Sequence, residues 1–260
     1  MATTYLNSQR ILPRATPDPN HLHERTPVEE YDLNSYIPAP RDTLETEKLK
    51  IVPFIPLLHA DALSDAFCAP PPAGSDGDIW FYPYPKGKPF ESKHETLMYI
   101  EKQRLRPNVL TFAVIDKLSG ELAAVMSVGC DPLQGSLDAK LLAMKVFPKF
   151  RRTHVFIHGC YLLLRYLLNP VAKGGLGLAR VGWRTPPENK QSQKAAEKAG
   201  LTREGIMRCY EVLVPLPGSP YPEEEIADGS GRATEDGVVY SMTCHDWLSK
   251  GKRERMEGML

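Results

Sequence analysis

The sequence predicts a mixed α+β domain: a mostly antiparallel twisted sheet containing one parallel strand–helix–strand pair, with flanking helices. Two observations carry this. Three strand-like runs follow one another, Val109 to Ile115, Leu122 to Val128 and about Leu137 to Phe147, and the first two are joined by Asp116-Lys117-Leu118-Ser119-Gly120 at hairpin spacing. An apolar helix then leads to a further run, Ala179 to Arg184, and strand, helix, strand in that order makes the two strands parallel neighbours.

Earlier in the chain, Leu49 to Phe54 is a short β-branched run, and Leu57 to Phe67 places apolar residues at helical intervals. Ser92 is placed to cap a helix from about Lys93 to Arg104, closed by Pro107. Pro148 ends the third strand of the meander because it cannot donate to a ladder. The next helix has Thr153 as its expected N-cap and repeats apolar residues from Phe156 to Leu168 until Asn169-Pro170 stops it. Asn189 is placed to cap a helix from Lys190 to Ala199, with Gly200 as its C-terminal stop. A strand from Leu201 to Val214 contains Gly205, which marks a bulge or bend, and a last strand runs from Val238 to Thr243.

These elements give one domain over residues 46–249, preceded by a proline-rich, weakly ordered arm (1–45) and followed by a charged tail (250–260) expected to fray. Residues 215–237 read as an inserted loop rich in proline, glycine and acids. Lys+Arg and Asp+Glu balance at 32 each, so no basic field exists to attract nucleic acid or an acidic membrane. The five cysteines are dispersed with no Cys-x-x-Cys pair, which argues against a disulfide framework and a zinc site. The most apolar segment, Tyr161 to Leu168, is far shorter than the roughly 20 residues a membrane helix needs. A cytoplasmic protein, monomer or homodimer, with no metal is the expectation.

Two stretches carry chemistry. Phe147-Pro148-Lys149-Phe150-Arg151-Arg152-Thr153-His154-Val155 is a basic turn at a helix start, where outward N–H groups favour an anion. The segment Trp80 to Phe90 alternates aromatics with prolines, and Trp80, Tyr82 and Tyr84 offer a rigid surface for a ligand or, alternatively, for the protein's own core.

Together with Asn189-Lys190-Gln191-Ser192, Glu197-Lys198-Ala199-Gly200-Leu201, Glu204 to Arg208, and Val239-Tyr240-Ser241 before Asp246-Trp247, these residues resemble the GNAT superfamily of acyl-CoA N-acyltransferases, in particular its RimJ/RimL-like branch. The resemblance covers about residues 45 to 248. It implies that the basic turn binds the pyrophosphate of coenzyme A through the backbone of Arg151, Arg152, Thr153, His154 and Val155. The family motif Gln/Arg-x-x-Gly-x-Gly/Ala falls on Arg151 to Phe156, with His154 and Phe156 where small residues are usual. The resemblance also implies that the strand ending near Phe147 parts from its parallel neighbour, so that backbone groups around Val146 and Phe147 hold the pantetheine. It further implies that Asn189 and Ser192 lie beside the thiol, Ser192 as proton donor to the leaving thiolate in place of a tyrosine, which is Ala196 here. Asn189 is equally a plain helix cap, and Ser192 a first-turn helix serine.

The expected reaction is acetyl transfer from acetyl-CoA to an amine, a protein N-terminus or a small molecule, by direct attack in a ternary complex. A lysine-like amine would need roughly 4–5 kcal/mol of deprotonation at pH 7, an α-amine only about 1 kcal/mol. No carboxylate is placed as a base: Lys140 stands where an acid would be sought, and His94, Asp138 and Glu211 are weak candidates. An α-amine, aromatic amine or hydroxylamine acceptor is therefore expected. The alternative reading is a degenerate member that binds coenzyme A or a partner without catalysis.

Overall fold

The computed structural model describes residues 16–70, 89–130, 138–213 and 233–260. Strands β1 (Leu44–Glu45) and β2 (Leu49–Pro53) form a hairpin fixed by Thr46, whose hydroxyl accepts from the Leu49 N–H at 3.1 Å and lies 2.8 Å from His158 Nδ1. Pro56 opens α1 (Pro56–Cys68), at a position where its missing N–H would have had no helical partner. Ser92 caps α2 (Lys93–Arg104), accepting from the Glu95 N–H at 3.2 Å. The predicted meander follows as β3 (Val109–Asp116), β4 (Leu122–Cys130) and β5 (Asp138–Val146). Helix α3 (Val155–Leu168) crosses to β6 (Arg180–Thr185), and α4 (Lys190–Lys198), β7 (Thr202–Leu213), β8 (Ala233–Thr243), α5 (Cys244–Leu248) and α6 (Lys252–Glu257) complete the chain.

Among the described residues, eight strands form one sheet in the order β1-β2-β3-β4-β5-β6-β8-β7. Only β5 and β6 are parallel, as a helical crossover requires; every other neighbouring pair is antiparallel. Strand alternation separates the two faces. On one face, Met126 of β4 meets α3, where Gly159 brings the helix so near that the Met126 methyl lies 2.5 Å from the position a Cβ would occupy. On the other, Lys145 of β5, paired across the ladder with Val125, points to Phe67 of α1 and Tyr99 of α2. Phe67, Phe90, Tyr99 and Phe147 form an aromatic cluster there, with ring centroids 5.4 to 6.1 Å apart.

Four sequence expectations need correction. Residues 233–237 are strand, because β8 pairs with β7 as far as Leu213↔Ala233. The position before α3 is held by His154, with no side-chain cap; Thr153 instead donates to Phe150 O at 2.6 Å and accepts from Val155 N–H. The C-terminal tail docks: Met256 is buried, Tyr161 donates to Glu257 at 3.0 Å, and Lys48 Nζ donates to Leu260 O at 2.7 Å. The arm from residue 16 onward has almost no regular structure yet is pinned at single points, with Leu22 and Ile37 buried, Tyr36 N–H on Pro107 O and Tyr166 hydroxyl on Pro38 O. One buried side chain at a time secures it, so no periodicity announces it.

Helix α5 begins with a reciprocal cap between Thr243 and Asp246. Burial raises the Asp246 pKa, but hydrogen bonds from Thr243 and Lys250 outweigh it and hold the carboxyl at about 2. Asp246→Ala is expected to cost about 1–2 kcal/mol at neutral pH. Because the folded pKa lies below the unfolded 3.8, this contribution is present above pH 3.8 and disappears as pH falls through about 2. Urea melts of both proteins down this range should converge.

Candidate active site

The parallel pair β5–β6 is short. Asp138, Ala139 and Lys140 pair with Arg180, Val181 and Gly182, after which the ladder stops, although β5 continues to Val146 and β6 to Thr185. Just beyond, the β4–β5 register shifts between Val125 and Ser127, and Ala143 adopts φ 43°. Two β5 residues thus oppose one on β4, and a bulge of this kind bends its strand. The result is a parting of the two strands, along which the edge of β5 from Leu141 to Val146 no longer pairs with β6.

The cleft ends at the start of α3. Phe147 N–H donates to Ala123 O at 3.0 Å, its ring packs on Phe67, and a 3₁₀ turn over Pro148–Phe150 leads to Arg151. Arg152 sits at φ 62° and is exposed, so the strained position of the turn is an arginine. Among the described residues, the N–H groups of Arg152, Thr153, His154, Phe156 and Ile157 take no protein acceptor. Val155 N–H is taken by Thr153. Five donors at a helix start, beside two arginines, can hold an anionic oxygen cluster.

His154 does not crowd this turn through its backbone, which is ordinary right-handed helix at φ −64°. Its ring turns away and Nε2 lies 2.9 Å from Asp116 Oδ1 at the end of β3. Burial raises the Asp116 pKa, but the Ser119 hydroxyl and N–H, together with His154, lower it below the usual carboxylate range. His154 thus fastens the turn to the sheet, a role sequence reasoning did not supply. Phe156, where a small residue was expected, lies sideways on Trp183, with centroids 6.3 Å apart at 79°.

Asn189 Oδ1 accepts from Ser192 N–H at 2.9 Å, the geometry of a helix cap. Ser192 Oγ accepts from Trp183 Nε1 at 3.0 Å. With that lone pair engaged, the hydroxyl is left free to donate its own proton. Trp183, Phe156 and Ser192 therefore link β6 to the starts of α3 and α4, next to the basic turn. Val146 pairs with Ala124 at the end of β5.

Trp80, Tyr82 and Tyr84 lie outside the described residues. The ends of their segment are tied together, since Phe90 N–H donates to Phe67 O at 2.9 Å. Of the weak base candidates, His94 is exposed on α2, and Asp138, its pKa raised by burial against the pull of Arg180 and Lys140, stands at the closed end of the β5–β6 pair. Glu211 pairs with Glu235 on the β7–β8 ribbon. Among the described residues, no group of three His, Cys, Asp or Glu side chains is placed to hold a metal, and no helix is long and apolar enough to cross a membrane.

No family model matches the chain, and no curated protein sequence matches it. Solved structures do. A GCN5-related N-acetyltransferase from Brucella melitensis superposes with TM-score 0.66 at 22% identity, covering 85% of this chain and 86% of that one. An acetyltransferase of the GNAT family from Bacillus anthracis gives 0.55 at 18%, covering 78% and 99%. Mycobacterium smegmatis RimJ, solved in complex with CoA-disulfide, gives 0.53 at 14%, covering 81% and 88%. With its single parallel pair, its parted β5–β6 edge and its donor-rich α3 start, the chain has the fold of the GCN5-related N-acetyltransferases.

Proposed function

We propose that the protein is a cytoplasmic N-acetyltransferase that moves an acetyl group from acetyl-CoA to an amine by direct attack in a ternary complex. The observation that carries this is the cleft where β5 leaves β6, closed at one end by the unpaired N–H groups of the α3 turn. Coenzyme A with its pyrophosphate on the N–H groups of residues 152–154, 156 and 157 and on Arg151 and Arg152, and its pantetheine along the Leu141–Val146 edge, brings the thioester into the cleft. Ser192 gives its proton to the departing thiolate and is reprotonated from solvent, which also takes up the proton that the acceptor amine sheds. A thiol has a reference pKa near 8.5, so a weak donor suffices.

Ser192→Ala is expected to lower turnover by about 10-fold, most strongly below pH 8, with coenzyme A affinity unchanged. Equal turnover of the two proteins from pH 6 to 9 would reduce Ser192 to a cap residue and partner of Trp183.

The acceptor is an amine of low intrinsic pKa, because no carboxylate among the described residues lines the open edge of β5. A panel of peptides and small amines assayed with acetyl-CoA at pH 7 tests this. α-Amines and aromatic amines should be preferred over alkyl ε-amines, and the reverse preference refutes it. The same absence favours a second reading, coenzyme A binding without catalysis, which the panel separates: binding with no turnover on any amine supports it.

A further inference from the structure

A buried indole N–H must find an acceptor, and the one at Trp183 finds Ser192. Gly182 is the last β6 residue paired with β5, so Trp183 is the first of the stretch along which the two strands part. On its other edge the backbone stays in the ladder, opposite Tyr240 of β8. Trp183 is only 6% exposed, and its side chain takes the side of the sheet that α3 and α4 cover. Phenylalanine or leucine would fill such a place without bringing a polar group into it, so packing alone does not call for tryptophan.

Ser192 is held at two atoms. Its N–H donates to Asn189 Oδ1 at 2.9 Å, and its Oγ accepts from Trp183 Nε1 at 3.0 Å. An indole nitrogen donates and does not accept, so the serine proton points elsewhere. Among the described residues that proton meets no protein acceptor.

Resting on the acetyltransferase reading, we propose that Trp183 is a positioning residue for the reaction: it orients Ser192 and strengthens it as a proton donor, with Phe156 as its brace. As the C–S bond of the thioester breaks, the Ser192 proton passes to the sulfur and negative charge grows on Oγ. An N–H aimed at that oxygen stabilises the charge, and burial of the indole strengthens the effect. Solvent then returns a proton to Oγ and takes the one shed by the acceptor amine; Trp183 gives up none. The same arrangement gives Phe156 a task. Where the family motif has a small residue, this chain places a ring edge-on against the indole, and the contact keeps the N–H on Ser192.

The test uses the full chain, acetyl-CoA and an aromatic amine. Trp183→Phe keeps a ring against Phe156 and removes the N–H, so kcat should fall by about 5-fold, with the KM for acetyl-CoA changed by less than about 2-fold. The deciding comparison is made in Ser192→Ala, which by itself loses about 10-fold. There Trp183→Phe should cost less than about 2-fold more, because the indole acts only through the hydroxyl. A merely structural role would multiply the losses to about 50-fold. Multiplied losses, or wild-type turnover in Trp183→Phe, overturn the proposal. Should Trp183→Phe fail to fold, Phe156→Leu, which keeps apolar bulk and removes the brace, decides in the same way. A several-fold loss of kcat that disappears in Ser192→Ala supports the proposal; an equal loss in both, or none, overturns it. If Ser192→Ala is slow and Trp183→Phe is not, the acetyltransferase reading stands and only the role of Trp183 falls. A wild type that acetylates no amine refutes the reading and the role together.

Discussion

Methionine in place of Lys145 is expected to raise the stability of the folded chain at pH 7 by several kcal/mol, in a protein where most core substitutions destabilise. Burial lowers the lysine pKa from 10.5 to about 7. Between those values the unfolded chain holds a proton that the folded chain has released, so wild-type stability rises with pH across the window, by up to about 1.4 kcal/mol per unit from this group. Below pH 7 the penalty is fully present; above 10.5 it is gone. The methionine variant lacks this slope. Tyr31 and Cys160, whose pKa values burial raises, oppose it at the alkaline end in both proteins, so the informative quantity is the difference between them. Urea melts at pH 7 and 9 should show the gap narrowing as pH rises. A variant less stable than wild type at pH 7 would mean that the amine earns its place through contacts that outweigh its burial.

The second large effect concerns the α3 turn. Replacing Arg151 and Arg152 together by glutamate is expected to weaken coenzyme A binding by about 100-fold or more, since each charge-assisted contact to phosphate contributes about 1.5–3 kcal/mol and the reversed charges repel it. Arg152 is exposed and Arg151 half-buried, so the melting temperature should change little. Arg152→Gly separates side chain from backbone: it relieves the left-handed strain at φ 62° and leaves the N–H groups in place, so affinity should fall by about 10-fold while stability holds or rises slightly. Calorimetric titration of the three proteins orders them. If the double glutamate variant binds as wild type does, the anion site lies elsewhere.

Much of this architecture is legible locally. The apolar runs of β3 and β4, the hairpin spacing between them, and the apolar period of α3 are short-range patterns, and they led to the observed meander and parallel pair. Asn189 and Ser92 announced their caps because capping is decided within one turn. What escaped was decided across the fold. His154 and Asp116 are 38 residues apart and meet only because the hairpin end and the α3 start share a corner. A lysine in a strand reads as a surface residue, and Lys145 is buried by rings from α1 and α2 that no window around it contains. His154 stands where the family motif has a small residue, yet its backbone is ordinary right-handed helix, and the left-handed residue of the turn is Arg152. The charged C-terminus docks through Met256, one apolar residue among charges.

The central claim is that the parted β5–β6 edge and the α3 turn form a coenzyme A site. Isothermal titration of the full chain with coenzyme A tests it most directly. One site per chain with micromolar affinity, weakened by added pyrophosphate, is expected; absence of binding at high micromolar concentration would refute a coenzyme A site there.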